Sequence, residues 1–378
     1  MTTSSKRQLS PPSARTGRFG SYAREEVTFL VKDLSDRLVE VPRDQYEQRI
    51  DEGVHYAEML PEEEVRPTSE AARLFEAALV RSARRLALVV GVTAEEVLLG
   101  RGADAVLVSL CQTGTPVGVL LRRWAAWRHG LALQHYTVSV VRGHGVDDNA
   151  LTHILDRHDG TALQFVDGWT GKGAIARELT ATLDRRRERR GTAPPDGLAV
   201  LVDPGDCAAI AGTADDFLVP NACLNATVSG LVSRTVVTPD LVGPDDFHGA
   251  KYYRELGDRD LSSRFLDTVS REFPTVREQV DACAAAATHG RAPSFAAERH
   301  AERLAGEYDL PDLNLVKAGV SETVRMLLHR VAQRVIVRHD VGPDVQEVRG
   351  LAARRGVPVE VRDDLPFACV GLMRAAGR

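Results

Sequence analysis

Apolar residues in this chain alternate between continuous runs of strand length and spacings of helical period. Residues 105–110 (AVLVSL) form a continuous run, followed by a turn and a helical spacing over 116–129. The pattern repeats as strand 133–141, helix 147–158, strand 163–166, helix 174–187 and strand 198–202. Upstream, the spacing predicts a helix from Ser69 to about Val90, started by Pro67-Thr68-Ser69. Residues 25–34 are short and mixed, and 54–66 read as loop. Short buried strands alternating with helices predict an α/β fold with a parallel sheet covered on both faces. Ligands of such sheets sit at the C-terminal ends of strands, which singles out the turns after Leu110 and Val166.

A second alternation follows a mainly helical stretch at 259–293. It runs as strand 313–317, helix 322–330, strand 334–338, helix 344–355, strand 358–361 and an apolar stretch at 366–373. The predicted organisation is a disordered tail at 1–20, a first domain at 21–290, a linker at 291–310 and a small α/β domain at 311–378.

Composition narrows the function classes. At 378 residues, 43% hydrophobic and 27% charged, the chain can build a substantial core. No window supplies about 18 uninterrupted apolar residues, so no membrane-spanning helix is expected. Five scattered cysteines lack metal-ligand spacing, so reduced thiols, no protein-held metal and a cytoplasmic location are expected. The net charge of -5 excludes a wholly basic nucleic-acid surface. Residues 311–378 nevertheless carry 11 Lys/Arg against 8 Asp/Glu, leaving the rest at -8. That balance permits an RNA contact.

The richest segment is Leu163-Gln164-Phe165-Val166-Asp167-Gly168-Trp169-Thr170-Gly171-Lys172-Gly173. An apolar strand meets an acidic residue and then a Thr-Gly-Lys-Gly turn opening a helix. Glycines let backbone N–H groups curl around an anion, which the helix N-terminus also favours. Thr170 adds a hydroxyl, Lys172 a charge, and Asp167 an acceptor for sugar hydroxyls. A nucleotide P-loop does not fit, because Val166 stands at the first glycine and Gly173 at the Ser/Thr. The plain alternative is a strand-to-helix turn with a solvated lysine. Ser109-Leu110-Cys111-Gln112-Thr113-Gly114-Thr115-Pro116 forms a second such loop, with Pro116 suited to a first helical turn.

Together these loops resemble the two anion loops of type I phosphoribosyltransferases. More broadly, residues 21–260 resemble phosphoribosyltransferase-like proteins of bacterial tellurite-resistance and stress-response operons, a family also labelled cysteine protease StiP. The supporting phrases are HYAEMLP at 55–61, the run at 111–123, LNATVSGLVSRT at 224–235 and FHGAKYY at 247–253. The resemblance implies a parallel-sheet, Rossmann-like phosphoribosyltransferase domain binding 5-phosphoribosyl 1-diphosphate with Mg²⁺. It implies transfer of the ribosyl group to an unidentified small-molecule acceptor, with release of diphosphate. Thr170, Gly171, Lys172 and Gly173 would hold the 5-phosphate, Asp167 and Gly168 the ribose, and Thr113, Gly114 and Thr115 the diphosphate. Asp167 and Lys172 would be catalytic. Gly168 departs from the family, which has a second acidic residue there. Arg142 and His144 are candidates for a closing loop, and Arg234, His248 and Lys251 for the acceptor side.

Lys317-Ala318-Gly319-Val320-Ser321-Glu322-Thr323-Val324-Arg325 resembles the Gly-x-x-Glu-x-x-basic element of Pelota-type RNA-binding domains. Lys317, Gly319, Ser321, Glu322 and Arg325 would then meet RNA, with Ser321 capping the helix. A fold kept for packing or as a homodimer contact is the alternative. Two other readings stand beside transfer: a cysteine peptidase with Cys111 as nucleophile, at a helix N-terminus, and a non-catalytic nucleotide- and RNA-binding stress regulator.

Overall fold

The computed structural model describes residues 19–62, 67–286, 292–339 and 342–374. The predicted tail lies outside the described residues as far as position 18. Its end is packed, since Phe19 meets Phe29 with ring centroids 5.7 Å apart. The predicted loop at 54–66 is described as far as 62. There Leu60–Pro61 pairs in parallel with Glu40–Val41.

Six strands form the main sheet: β1 (Thr28–Leu30), β2 (Val106–Leu110), β3 (Gln134–Val138), β4 (Leu163–Trp169), β5 (Leu198–Val202) and β6 (Ile210–Thr213). Their order is β1-β3-β2-β4-β5-β6, parallel throughout. Every residue of β2, β4 and β5 is buried, which explains their continuous apolar runs. From β2 the chain goes left to β3 and then returns to the right of β2 as β4. The crevice between β2 and β4 is therefore the point where the winding reverses, the place such sheets use for ligands.

Ten helices accompany the strands among the described residues. The first seven are α1 (Arg43–Asp51), α2 (Ser69–Arg101), α3 (Gly114–His129), α4 (Asp148–Leu155), α5 (Ala174–Arg190), α6 (Ser262–Arg271) and α7 (Phe273–Ala286). Thr68 caps α2 as the sequence implies, its Oγ1 accepting from Ala71 N at 3.1 Å. The helix runs past the expected end near Val90 because no proline interrupts it and Gly91 and Gly100 keep helical backbone, so it stops only at Gly102, which takes φ +79°. Thr93, β-branched but buried, bonds its hydroxyl to Val89 O at 2.8 Å.

The C-terminal unit starts earlier than expected. Residues predicted as linker contain α8 (Ala296–Glu307), whose Ala297, Ala301 and Leu304 are fully buried. Then come β7 (Val316–Ala318), α9 (Val320–His329), β8 (Ala332–Val337), α10 (Pro343–Arg354), β9 (Val359–Val361) and β10 (Cys369–Met373). The sheet order is β7-β10-β8-β9, antiparallel except for the parallel β8–β9 pair. Val320, Val324 and Leu327 of α9 join the core that holds Phe217 and Val219 of the first domain. The two units thus share buried apolar surface, so packing free energy opposes their separation.

Candidate active site and interdomain cleft

The turn after β4 has the expected geometry. Gly173 takes φ +87°, and α5 starts at Ala174. A side chain at Gly173 would press on Phe295 and Cys207, which fixes glycine there. Asp167 is 7% exposed and accepts from the Thr113 hydroxyl and from Gly168 N, the latter at 2.7 Å. Burial pushes its carboxyl up to about 6, against the opposing effect of those two donors. Gly168 lies inside the strand against Thr113 and offers no side chain. The Thr170 hydroxyl donates to Asp203, which also accepts from Cys207 N and Ala208 N. Asp203, at the end of β5, is thus a structural clamp. Its position was legible by the strand-end rule that drew attention to Asp167.

The loop after β2 departs from expectation. Thr115, predicted to face a diphosphate, is 1% exposed and shares a hydrogen bond with Thr137 of β3 at 3.1 Å. Gly114 is the first residue of α3 and lies so close to Val166 O that a Cβ would collide with it. Its smallness serves helix–sheet packing. Thr113 holds Asp167 directly.

The predicted RNA-facing residues also lie elsewhere than expected. Trp169 Nε1 donates to Glu322 Oε1 at 3.0 Å, Lys172 Nζ to Val316 O at 3.0 Å, and Arg142 to Asn314 Oδ1 at 2.8 Å. Arg325 donates to Asn225 Oδ1 at 2.7 Å. Ser321 does not cap α9, which begins one residue earlier; its hydroxyl accepts from Val219 N at 3.0 Å and donates to Phe217 O at 3.3 Å. Gly319 rests against Asp216, which accepts from Val320 N and Ala368 N at 2.9 Å each. The Gly-x-x-Glu-x-x-Arg face is turned toward the first domain.

These contacts enclose a cavity of about 130 Å³ lined by Thr113, Arg142, Asp167, Lys172, Lys317, Glu322 and Arg325, among others. A second cavity of about 170 Å³ shares Arg142, Lys317, Glu322 and Arg325 with it. Burial lowers the Lys172 ammonium to about 8 and Lys317 to about 7, Arg142 adding repulsion to each. Burial opposes ionisation of Glu322. Lys317, Arg325, the Trp169 hydrogen bond and Lys172 outweigh it and hold the carboxyl below its ordinary range.

The remaining candidates are bonded within the first domain. Arg234 donates to Tyr56 O and Met59 O at 3.1 and 2.9 Å, and Lys251 pairs with Glu40 at 2.7 Å. Both have structural partners. His144 stands edge-on to His55, and the 142–145 segment turns between the paired strands Val140–Val141 and Gly145–Val146. His248 Nδ1 is 2.8 Å from Ser139 Oγ, and its backbone N donates to Asp147 Oδ2 at 2.6 Å. Burial and His144 hold the His248 imidazole below its ordinary range, against the pull of Asp147. Ser139 and Asp147 carried no sequence signal, since only the fold brings 139, 147 and 248 together.

Cys111 ends the central strand β2. Its N donates to Val138 O at 2.9 Å, which sets it beside Ser139, and its Sγ lies 4.0 Å from Ser233 O. It is partly exposed. Cys207, Cys223 and Cys369 are buried, and burial pushes each thiol up, Cys207 to about 12. Cys283 is exposed on α7.

The donor set does not suit a protein-held Mg²⁺. That ion wants several unencumbered oxygens in octahedral array. Asp167 Oδ1 already serves two donors, Glu322 Oε1 serves Trp169, and Gly168 adds no second carboxylate. No group of three or more His, Cys, Asp or Glu suited to a metal occurs among the described residues. No helix among them is long and apolar enough to cross a membrane.

Residues 20–270 match the family described as tellurite-like stress resistance cysteine protease StiP, and 295–375 match the PELOTA RNA binding domain. The curated cysteine protease StiP of Acinetobacter baylyi is 33% identical over 375 residues, covering 96% of each chain. A hypoxanthine-guanine phosphoribosyltransferase structure from Bacillus anthracis aligns with 41% of this chain and 87% of its own, at 16% identity and a TM-score of 0.23. A TM-score of that size does not establish a shared fold. The family match over most of the chain and the full-length relative agree, and this protein belongs to the StiP family, with a Pelota-type domain at its C-terminus.

Proposed function

We propose that the protein is a thiol-dependent peptidase with Cys111 as nucleophile. The observation that carries this reading is the position of Cys111: partly exposed, at the end of the central strand, beside the winding reversal and just before α3. The buried cysteines have thiols held protonated, and Cys283 lies on a peripheral helix. In this reading His248, reached through Ser139, accepts the thiol proton. The Cys111 sulfur attacks a peptide carbonyl, the amine leaves with the proton returned by the imidazole, and water then hydrolyses the thioester. Asp147 holds the His248 backbone in place. Unprotonated His248 is the form a base requires, and its lowered pKa supplies that form at neutral pH.

The test is hydrolysis of a fluorogenic casein with iodoacetamide labelling followed by peptide mass spectrometry. Cys111→Ser abolishes hydrolysis, and His248→Asn lowers it by about two orders of magnitude. Full activity in Cys111→Ser would sink the reading.

A second reading, phosphoribosyl transfer, is favoured by one observation: Thr113, Asp167, Thr170 and Lys172 all line one cavity. Magnesium would then arrive on the phosphates of the donor. Calorimetric titration with 5-phosphoribosyl 1-diphosphate, with and without Mg²⁺, decides it. Absence of binding in both conditions removes it.

A further inference from the structure

The phrase HYAEMLP at 55–61 takes no part in the chemistry above, yet the fold gives its first two residues a shared task. Both grip the backbone of Arg142. Tyr56 Oη accepts from Arg142 N at 2.8 Å, and His55 Nε2 lies 3.1 Å from Arg142 O. Arg142 stands at the tip of the hairpin formed by Val140–Val141 and Gly145–Val146, and its guanidinium crosses to Asn314 of the second domain. Strands of two residues give a hairpin little support of their own, so contacts from outside fix where the tip stands.

Those contacts settle the tautomer of His55. Ala57 N can only donate, and it lies 3.3 Å from His55 Nδ1, so Nδ1 carries no proton. The Arg142 carbonyl can only accept, so the ring proton sits on Nε2 and is donated to it. Only a neutral imidazole serves both partners. A second proton must go to Nδ1, where it opposes the Ala57 N–H and removes the cap of the turn Tyr56–Glu58. The charge would also arise beside the His144 ring, whose centroid is 4.6 Å away on the hairpin.

The surrounding groups weigh against that charge. Glu58 and the Arg142 carbonyl favour it, but burial and His144 outweigh them and hold the His55 imidazole below its ordinary 6.5. The other polar neighbours engage the frame of the latch. Tyr46 of α1 and Arg234 donate to Tyr56 O. Glu178 of α5, paired with Arg185, accepts from Gly143 N. On the far side of His144 stands His248.

We propose that His55 is a pH-sensitive latch: neutral, it pins the 142–145 hairpin and with it the Arg142–Asn314 tie between the domains, and protonated, it releases both. The unfolded chain takes up this proton at a higher pH than the folded one does. The contribution of His55 to stability is therefore complete above 6.5 and is lost as the pH falls from there through the lowered folded value. The same hairpin joins Ser139 to Asp147, the two residues that hold His248, so its release reaches that imidazole as well. The inference needs neither reading of the chemistry.

Hydrogen exchange read by mass spectrometry on the full chain tests it, over peptides spanning 139–147 and corrected for the intrinsic pH dependence of exchange. In wild type the hairpin amides lose protection by about tenfold or more between pH 8 and pH 5, while α3 is unchanged. His55→Gln keeps a side-chain amide and cannot take a second proton, so its hairpin protection is the same at both values. In His144→Gln the opposing ring charge is gone, and the loss of protection moves to higher pH. A wild-type hairpin equally protected at pH 5 and pH 8 overturns the proposal without recourse to any variant. So does an undiminished pH response in His55→Gln, which would place the titrating group at Glu178 or His248.

Discussion

Lys317 and Asp167 are two ionisable groups kept away from their ordinary protonation by burial, with opposite consequences for stability. Lysine ordinarily titrates near 10.5, and in the fold Lys317 does so at about 7, burial being the largest cause, with Lys172, Arg142 and Arg330 adding repulsion and Glu322 opposing it. Between those values the unfolded chain holds a proton that the folded one lacks, so stability from this group rises with pH. The melting difference between Lys317→Met and wild type is therefore largest at or below pH 7 and shrinks toward pH 10. A difference constant with pH would contradict the buried charge. Asp167 runs the other way. Its folded value of about 6 exceeds the ordinary 3.8, so its protonated form stabilises the fold at low pH and that contribution is lost as pH rises through 6. Neither shift was legible in the sequence, because burial, the largest cause of each, is set by segments distant in the chain.

The helices and strands near the site were legible because their signals are local. The run at 198–202 is β5, the helix expected at 116–129 is α3 extended back to Gly114, and the turn at 170–173 opens α5. Edge strands β1 and β6 were missed, since runs of three or four residues are too short to carry a periodicity. Helix α8 was missed because its short apolar stripe gains meaning only once β7 and β10 lie beneath it. Glycines show the same division. A Cβ at Gly114 would collide with Val166 O, and one at Gly118 with the Ser109 hydroxyl and His135. Gly114→Ala and Gly118→Ala each destabilise by about 1–3 kcal/mol in urea melts. Gly100, inside α2 with open space around it, behaves oppositely, and Gly100→Ala stabilises by about 0.5–1 kcal/mol. Equal effects at 100 and 114 would show that propensity, and not close approach, governs both.

At the scale of the whole molecule the two units behave as one. Asp216 of the first domain accepts backbone hydrogen bonds from Val320 and Ala368 of the second, and α9 shares its core. Asp216→Ala orphans these buried donors and costs about 2–4 kcal/mol. Calorimetry of that variant shows the C-terminal unit melting ahead of the rest, whereas wild type melts in one transition. A single, unshifted transition in the variant would mean the carboxylate is dispensable to the joint. The sequence by itself determined the alternating α/β architecture, the turn geometry around Asp167 and Lys172, and the approximate bounds of α3, α4, α5, α9 and α10, whereas α1 and α8 left no signal in it. Those follow from side-chain periodicity and glycine placement, which act within about twenty residues. Only the tertiary structure decided that Glu322 and Arg325 face inward, that Thr115 is buried, and that His248 stands beside Ser139 next to Cys111. Each of those outcomes depends on segments distant in the chain competing for the same buried space, and local pattern carries no record of which one wins.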